Sequence, residues 1–439
     1  MDGLGSVKKR KLYEGQYSGS NNDRISNLPE GVIHHILSFL PTKYAVSTCS
    51  LSSRWQYLWT SVSRLDFCDR LLHTEMTDEY HMMFANFVER VLLHHDRSCI
   101  QKFRLSSSNV LDASRVNAWI SSIARHKVQK FVLDFRVDQP LVFPRNLFTC
   151  EALKVLKVDK TFISVPASIC ISSLKVLSLG YVTISCSQAT QNISFNFPVL
   201  EEFLIEECKW VMIKTFEIFA DTLRILKIFD YSDCVIKVHA KGLISLNLSS
   251  SLSCELFLRN PSSLADAALD IGSNEPGHHA RKLLKAIYGV KDLMLTDNSI
   301  MYLLRFVNLK HLKVFLNTDW CTGDHLTELL CHLPNIESLA YINAHLFLFG
   351  EHGWTLGRSP QCFVSNLKSV TVQEFLGNEN DLSLIKVLLN NVNALEKMII
   401  IFVPAPWIDP KTKTELTNQV QTFPRRSSSC VFEFSQSNY

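Results

Sequence analysis

A short apolar spacing, L-x-x-L-x-L with conservative swaps, recurs along most of this 439-residue chain and constrains its fold more than any other feature. It aligns at Ile100 (IQKFRL), Val128 (VQKFVL), Leu153 (LKVLKV), Leu174 (LKVLSL), Leu200 (LEEFLI), Leu223 (LRILKI), Leu243 (LISLNL), Val290 (VKDLML), Leu309 (LKHLKV), Ile336 (IESLAY), Leu367 (LKSVTV) and Leu395 (LEKMII). Leu264 (LADAAL) is a poorer match that fills the one wide gap, after which successive starts fall 19 to 31 residues apart. That period is too short for a domain and long enough for one strand and a return segment. Alternate side chains of a strand point to opposite faces, so the later apolar positions of each unit turn to a common core and the residues between them face out. No unit can bury its apolar face alone. Stacked neighbours bury it together, and the end units need covering.

The spacing is the signature of leucine-rich repeats. In that class Asn or Cys usually follows three residues after the last apolar position. Cys208, Asn298 and Asn317 meet this and most other units miss it, which predicts an irregular solenoid. The outward strand positions Lys157, Ser178, Leu204, Lys227, Asn247, Met294 and Lys313 are expected to meet a target protein of unknown identity. Apolar residues at 46% and charged residues at 20% fit a folded chain.

Residues 1–22 are rich in Gly, Ser, Asn and Lys without apolar periodicity and read as a disordered leader, in which Lys8-Lys9-Arg10-Lys11 fits a short nuclear-import signal. From Asp23 the text becomes DRISNLPEGVIHHILSFLPTKYAVSTCSLSSRWQYLWTSVSRLDF. Ile33, Ile36, Leu37 and Leu40 recur as one face of a helix, with Pro29 in its first turn and Pro41 ending it. A second short helix is predicted around Val46 and Cys49, and a third over the run Arg54 to Trp59. Three helices of this size cannot hide all their apolar surface, so a partner or the next domain must cover some of it.

Residue by residue, Leu28-Pro29, Ile33, Ile36, Leu40-Pro41, Val46, Arg54, Trp55, Leu58 and Trp59 resemble the plant F-box pattern over essentially the whole motif, residues 23–67. The resemblance implies binding to the Skp-type adaptor of an SCF ubiquitin ligase, and through it to a cullin. Leu28, Pro29, Ile33, Ile36, Leu40, Pro41, Val46, Trp55 and Leu58 would form the contact. Tyr44 departs from the pattern, since many relatives carry an acid there, and this bears on affinity. Residues 361–434, with CFVSNLKSVTVQEFLGNENDLSLIKVLLNNVNALEKMIIIFV, resemble the FBD region of plant F-box and leucine-rich-repeat proteins. They read strand, loop, helix, strand, with Leu384, Val387 and Leu388 on one helical face, and their plainest role is to close the repeat array. The expected fold is therefore α/β: a small three-helix F-box, an irregular leucine-rich-repeat solenoid over 100–355, and an FBD region closing it.

Chemistry is not announced. The chain has no G-x-S-x-G elbow, phosphate loop, H-E-x-x-H or G-x-G-x-x-G after a strand, so no enzyme is expected. Cys321, His325, Glu328 and His332 share one helical sector, which is also how a solvated polar face looks. Without a second ligand pair no metal is expected. Thirteen cysteines without a C-x-x-C pair predict reduced thiols. The histidine pairs at 34–35, 94–95 and 278–279 cannot face together. A net charge of +3 predicts no nucleic-acid partner, and no dense basic cluster marks a polyphosphate site, so no cofactor is expected. Neither a signal peptide nor a run of ~20 apolar residues is present, which predicts no membrane partner and a nuclear or cytoplasmic location. Two functions fit: a substrate adaptor of an SCF-type ligase, or a repeat scaffold acting without ubiquitination. They part at Leu28-Pro29.

Overall fold

The computed structural model describes residues 28–71, 78–96, 98–188, 190–230, 232–250, 256–259, 263–271, 277–300, 305–316, 323–343, 359–404 and 407–437. The chain is mixed α/β, with a small helical unit followed by a long run of parallel strands. In the helical unit α1 (Glu30–Leu37) and α2 (Thr42–Ser47) each start directly behind a proline, Pro29 and Pro41. The helix expected at Arg54 to Trp59 is instead two 3-10 turns, Ser53–Trp55 and Leu58–Ser61. Tyr57, at φ −123° and ψ 0°, interrupts the helical backbone between them. Ile33, Leu37, Ala45, Trp55 and Val62 form a core of their own, with Leu28, Leu40 and Leu58 packed against it. Arg54 ties the entering chain down by donating from Nη2 to the Leu28 carbonyl at 2.6 Å.

Beyond this unit fifteen strands form one sheet in which each pairs with its chain neighbour, all in parallel. They are β1 (Arg64–Cys68), β2 (Lys102–Leu111), β3 (Lys130–Val137), β4 (Val155–Asp159), β5 (Val176–Gly180), β6 (Glu202–Glu206), β7 (Ile225–Phe229), β8 (Ser245–Ser250), β9 (Asp266–Ile271), β10 (Asp292–Thr296), β11 (His311–Leu316), β12 (Ser338–Asn343), β13 (Ser369–Phe375), β14 (Lys397–Phe402) and β15 (Val431–Gln436). Every motif start named above, the weak Leu264 included, lies two residues ahead of one of the strands β2 to β14, and each is buried. The next two apolar positions fall inside the strand and point to the core, as with Phe103 and Leu105, or Leu226 and Ile228. Both the first and the last strand lie outside the aligned motifs.

The chain returns to the next strand in two ways. A strand advances about 3.3 Å per residue and a helix about 1.5 Å, so an extended return spans the same distance with fewer residues. Units in the middle of the chain return extended, and their return strands stack into two further parallel sheets. One joins Leu141–Val142, Phe162–Val165, Thr183–Cys186 and Lys209–Val211; the other runs from Ser168–Cys170 to Leu256–Arg259. Flanking units return through helices: α3 (Asp78–His94) and α4 (Ala113–Ala124) before them; α5 (Gly277–Ala286), α6 (Gly323–Cys331), α7 (Glu379–Asn391) and α8 (Pro410–Gln421) after. The corners behind β4, β5 and β6 are turned by Lys160, Tyr181 and Glu207, each at positive φ, and each donates its N–H to the last carbonyl of the next strand. Of the face expected on α7, Leu384 and Leu388 are buried and Val387 is half-buried, with Ile385 and Leu389 completing the buried side, while α8 is an additional helix.

Candidate partner-docking surfaces

On the helical unit, the sequence assigned one continuous contact to nine residues, and the structure divides them. Pro29 and Ile36 are exposed, and Leu28, Leu40, Pro41, Val46 and Leu58 are half-buried and reachable. Ile33 at 0% and Trp55 at 4% exposure lie inside the unit, so they support the surface and do not present themselves to a partner. Leu, Ile and Trp at helical spacing serve both jobs, and only packing tells which side of a helix is filled. The exposed set is also wider than the sequence reading: Val32, Ile36 and Phe39 make a second apolar stripe on α1 and the turn after it, beside the buried Ile33 and Leu37. Tyr44, Leu51 and Tyr57 add exposed apolar area on the same unit. A helix that is apolar on two sides is one that expects a second contact, and this stripe was readable as 32, 36, 39. Two cations lie over its aromatic rings, Arg64 at 5.7 Å from Phe39 and Lys43 at 5.7 Å from Tyr44.

On the sheet, all seven outward residues proposed for target contact stand in one row. Lys157 opposes Ser178, which opposes Leu204, then Lys227 and Asn247; Ala268 bridges to Met294, which opposes Lys313. Lys157 and Lys227 are exposed and the others half-buried. Two residues further along the strands lies a carboxylate rim of Asp134, Asp159 and Glu206. Gly180 sits between the last two, and a Cβ there would come within 2.9 Å of Asp159 Oδ1. Burial pushes the Asp159 carboxyl up, with Asp134 and Glu206 adding to the effect and Lys160 opposing it. The hydrogen bond to Asp134 holds Lys160 charged, so the rim is partly compensated from its own corner.

Three buried thiols are quiet. Cys208, at the position where this repeat class places Asn or Cys, donates Sγ–H to the Leu179 carbonyl at 3.5 Å. Burial pushes Cys208, Cys234 and Cys362 up to about 12, which keeps them protonated and unreactive. Among the described residues no three His, Cys, Asp or Glu are placed to hold a metal, and no helix is long and apolar enough to cross a membrane. Cys321, Asn317, the side chain of His325 and the whole of residues 1–22, including Lys8 to Lys11, lie outside the described residues.

Comparison with known proteins matches both parts of the chain. Residues 25–67 match the F-box domain profile, and residues 91–419 match the profile described as At1g61320/AtMIF1, LRR domain. The F-box/FBD/LRR-repeat protein At1g78750 of Arabidopsis thaliana is 28% identical, the alignment covering 98% of this chain and 99% of that protein. F-box/FBD/LRR-repeat protein At3g14710 of the same plant is 27% identical over 98% and 97%. The FBD-associated F-box protein At5g22730, also from Arabidopsis thaliana, is 25% identical over 90% and 91%. The chain belongs to the plant family of F-box/FBD/leucine-rich-repeat proteins.

Proposed function

We propose that this chain is the substrate-recognition adaptor of an SCF-type ubiquitin ligase, with its F-box on the Skp-type adaptor and its sheet face on the protein to be ubiquitinated. The observation that carries this reading is the outer stripe of α1 and the turn after it: Ile36 is 42% and Phe39 65% exposed, although the same helix already fills its own core with the neighbouring Ile33 and Leu37. Exposed apolar side chains grouped on one small unit mark a contact surface. In this reading residues 23–67 are the F-box and 100–355 a repeat solenoid, closed by an FBD region at 361–434. The Skp-type adaptor brings the cullin, and the chain acts in the nucleus or cytoplasm without catalysis of its own. The gain is effective concentration: a target held near a charged conjugating enzyme reacts without any nucleophile from this protein.

The test is binding of the purified chain to a plant Skp-type adaptor, with Ile36→Asp beside the wild type. Ile36 faces solvent, so the variant keeps its fold by circular dichroism; its adaptor binding is expected to fall at least tenfold. Undiminished binding would remove α1 from the contact. No binding by the wild type would leave a target-binding scaffold that works without ubiquitination.

A further inference from the structure

Beyond Lys8 to Lys11 the sequence shows no dense run of basic residues, yet the fold assembles a basic cluster. Arg64, Lys102 and Lys130 occupy the same position of β1, β2 and β3 and oppose one another residue to residue. Two residues further along, Arg104 opposes Val132, which opposes Lys157 on β4. Five cations from four adjacent strands therefore share one patch of the solvent face. Asp66 is the one carboxylate within it among the described residues, and it is taken up by Lys102 at 3.3 Å and Arg104 at 3.8 Å. Lys130 and Lys157 face no carboxylate among the described residues. Lys130 is pushed down by partial burial and then by the charges of Lys157 and Lys102.

Like charges opposed across neighbouring strands are destabilising. The chain alone gains nothing from this crowding, and a bound anion relieves it. The patch is also narrow. It is two rows deep, and the rim of Asp134 and Asp159 begins where the second row ends. Four strands about 4.8 Å apart span roughly 14 Å, the length of about four residues of extended peptide. A polyanion such as nucleic acid would run over the rim and be repelled by it, whereas a short segment with a few carboxylates fits within the cations.

We propose that the strands β1 to β4 form the docking site for an extended acidic peptide segment of the captured protein. This rests on the reading of the sheet face as the target-binding surface and gives that surface its chemistry.

The experiment is fluorescence anisotropy of the full chain with a labelled hexaglutamate peptide and, as a second probe, a single-stranded oligonucleotide. Wild type is expected to bind the peptide, more weakly as salt rises. A Lys130→Glu, Lys157→Glu variant should lose at least tenfold while melting no lower than wild type, because like-charge crowding is removed. Lys209→Glu, exposed on the return strand Lys209–Val211 of another sheet, should keep peptide binding. Absence of peptide binding by the wild type overturns the proposal, as does tighter binding of the oligonucleotide or an equal loss in Lys209→Glu. Adaptor binding measured on the same variants reports the ligase reading separately, since the F-box residues are untouched.

Discussion

The fifteen-stranded sheet has two ends, and they are treated differently. At the first, β1 lies against the F-box: the Asp66 N–H on its free edge is taken by Thr42 Oγ1 at 2.7 Å, and Thr42 is 2% exposed. The core residues of β1, Leu65 and Phe67, are each 1% exposed, and Val46 and Trp59 of the F-box pack against the core they belong to. At the last, among the described residues β15 pairs with β14 alone. Its core-facing Phe432 and Phe434 are only half-buried, the Arg425 guanidinium lies 4.7 Å over the Phe432 ring, and Val431 is 61% exposed. Terminal units of repeat proteins need a polar outer side, and here one end is capped by a folded unit and the other by a short strand with Lys397 and Glu433 paired across it at 2.8 Å. The F-box is thus a structural cover for the first strand.

The widest break between the ends should come from matched truncations. Phe67→Ala removes a fully buried ring that touches Phe103 at 5.8 Å and should cost about 3–5 kcal/mol. Phe434→Ala, at the equivalent strand position, should cost less than half as much because water already reaches its ring. Urea unfolding of the two variants measures this. Equal losses would mean that the last strand is covered in solution, by a second copy or by another partner.

Next is the edge itself. Thr42→Val keeps the shape and deletes the acceptor of the Asp66 N–H, leaving a buried donor unpaired at about 1–3 kcal/mol. Amide exchange at Asp66 should accelerate in the variant and approach that of the outward-edge amides of β15. If Asp66 stays protected, the F-box covers β1 by packing and not through this bond.

At the other end the matching weak point is Gly377, at φ +78°, where a Cβ would collide with the Leu416 side chain on α8. Gly377→Ala therefore makes the half-buried Leu416 side chain on α8 shift and strains the backbone, at about 1–2 kcal/mol. The loss should appear as faster exchange in α8 and β15, with the F-box unaffected. A uniform loss along the chain would show that the two ends unfold together.

These ends also mark what the sequence could and could not tell. Units β2 to β14 were legible because each carries three apolar positions at a fixed spacing, and even LADAAL, with alanine for leucine, paired in register. Val62, Leu65 and Phe67 obey the same spacing but sit inside the F-box text, where they read as helical tail. β15 keeps Phe432 and Phe434 but has Ser429 at the first position, so an edge unit with a weaker core lost its signal. The candidate surfaces were half legible. The outward row on the sheet follows from period two alone, while which side of α1 is buried, and which cations from four strands meet, depend on packing and register that no local spacing encodes. Return strands in place of helices do not follow from unit length, since the starts Leu174 to Leu200 and Leu264 to Val290 are equally spaced, yet the first unit returns extended and the second through α5.

The smallest effect concerns pH, and it belongs to the covered end. His95, 8% exposed, places Nδ1 2.8 Å from the Asp96 carbonyl and Nε2 3.0 Å from that of Val62, a residue of the F-box core. Both partners are acceptors, so neutral imidazole can satisfy one and the imidazolium both. His126 stacks edge-on against His95 at 5.7 Å. Burial first, and then the charge of His95, hold His126 below its ordinary value of 6.5, with the Ser98 backbone and Asp96 opposing. A base whose folded value lies below its unfolded value binds more protons when unfolded, so its contribution is neutral above about pH 6.5 and turns against the fold as pH falls below it. His126→Gln removes that term while leaving His95 in place. The melting temperature of the variant relative to wild type should be flat above about pH 7 and rise in the variant's favour between about pH 6.5 and 5. At the last-strand end the shifted carboxylate, Asp409, is held below 3.8 by its bonds to Thr412 and titrates outside that window. A difference that stays flat down to about pH 5 would free the F-box junction from protonation and reduce the contrast between the two ends to packing alone.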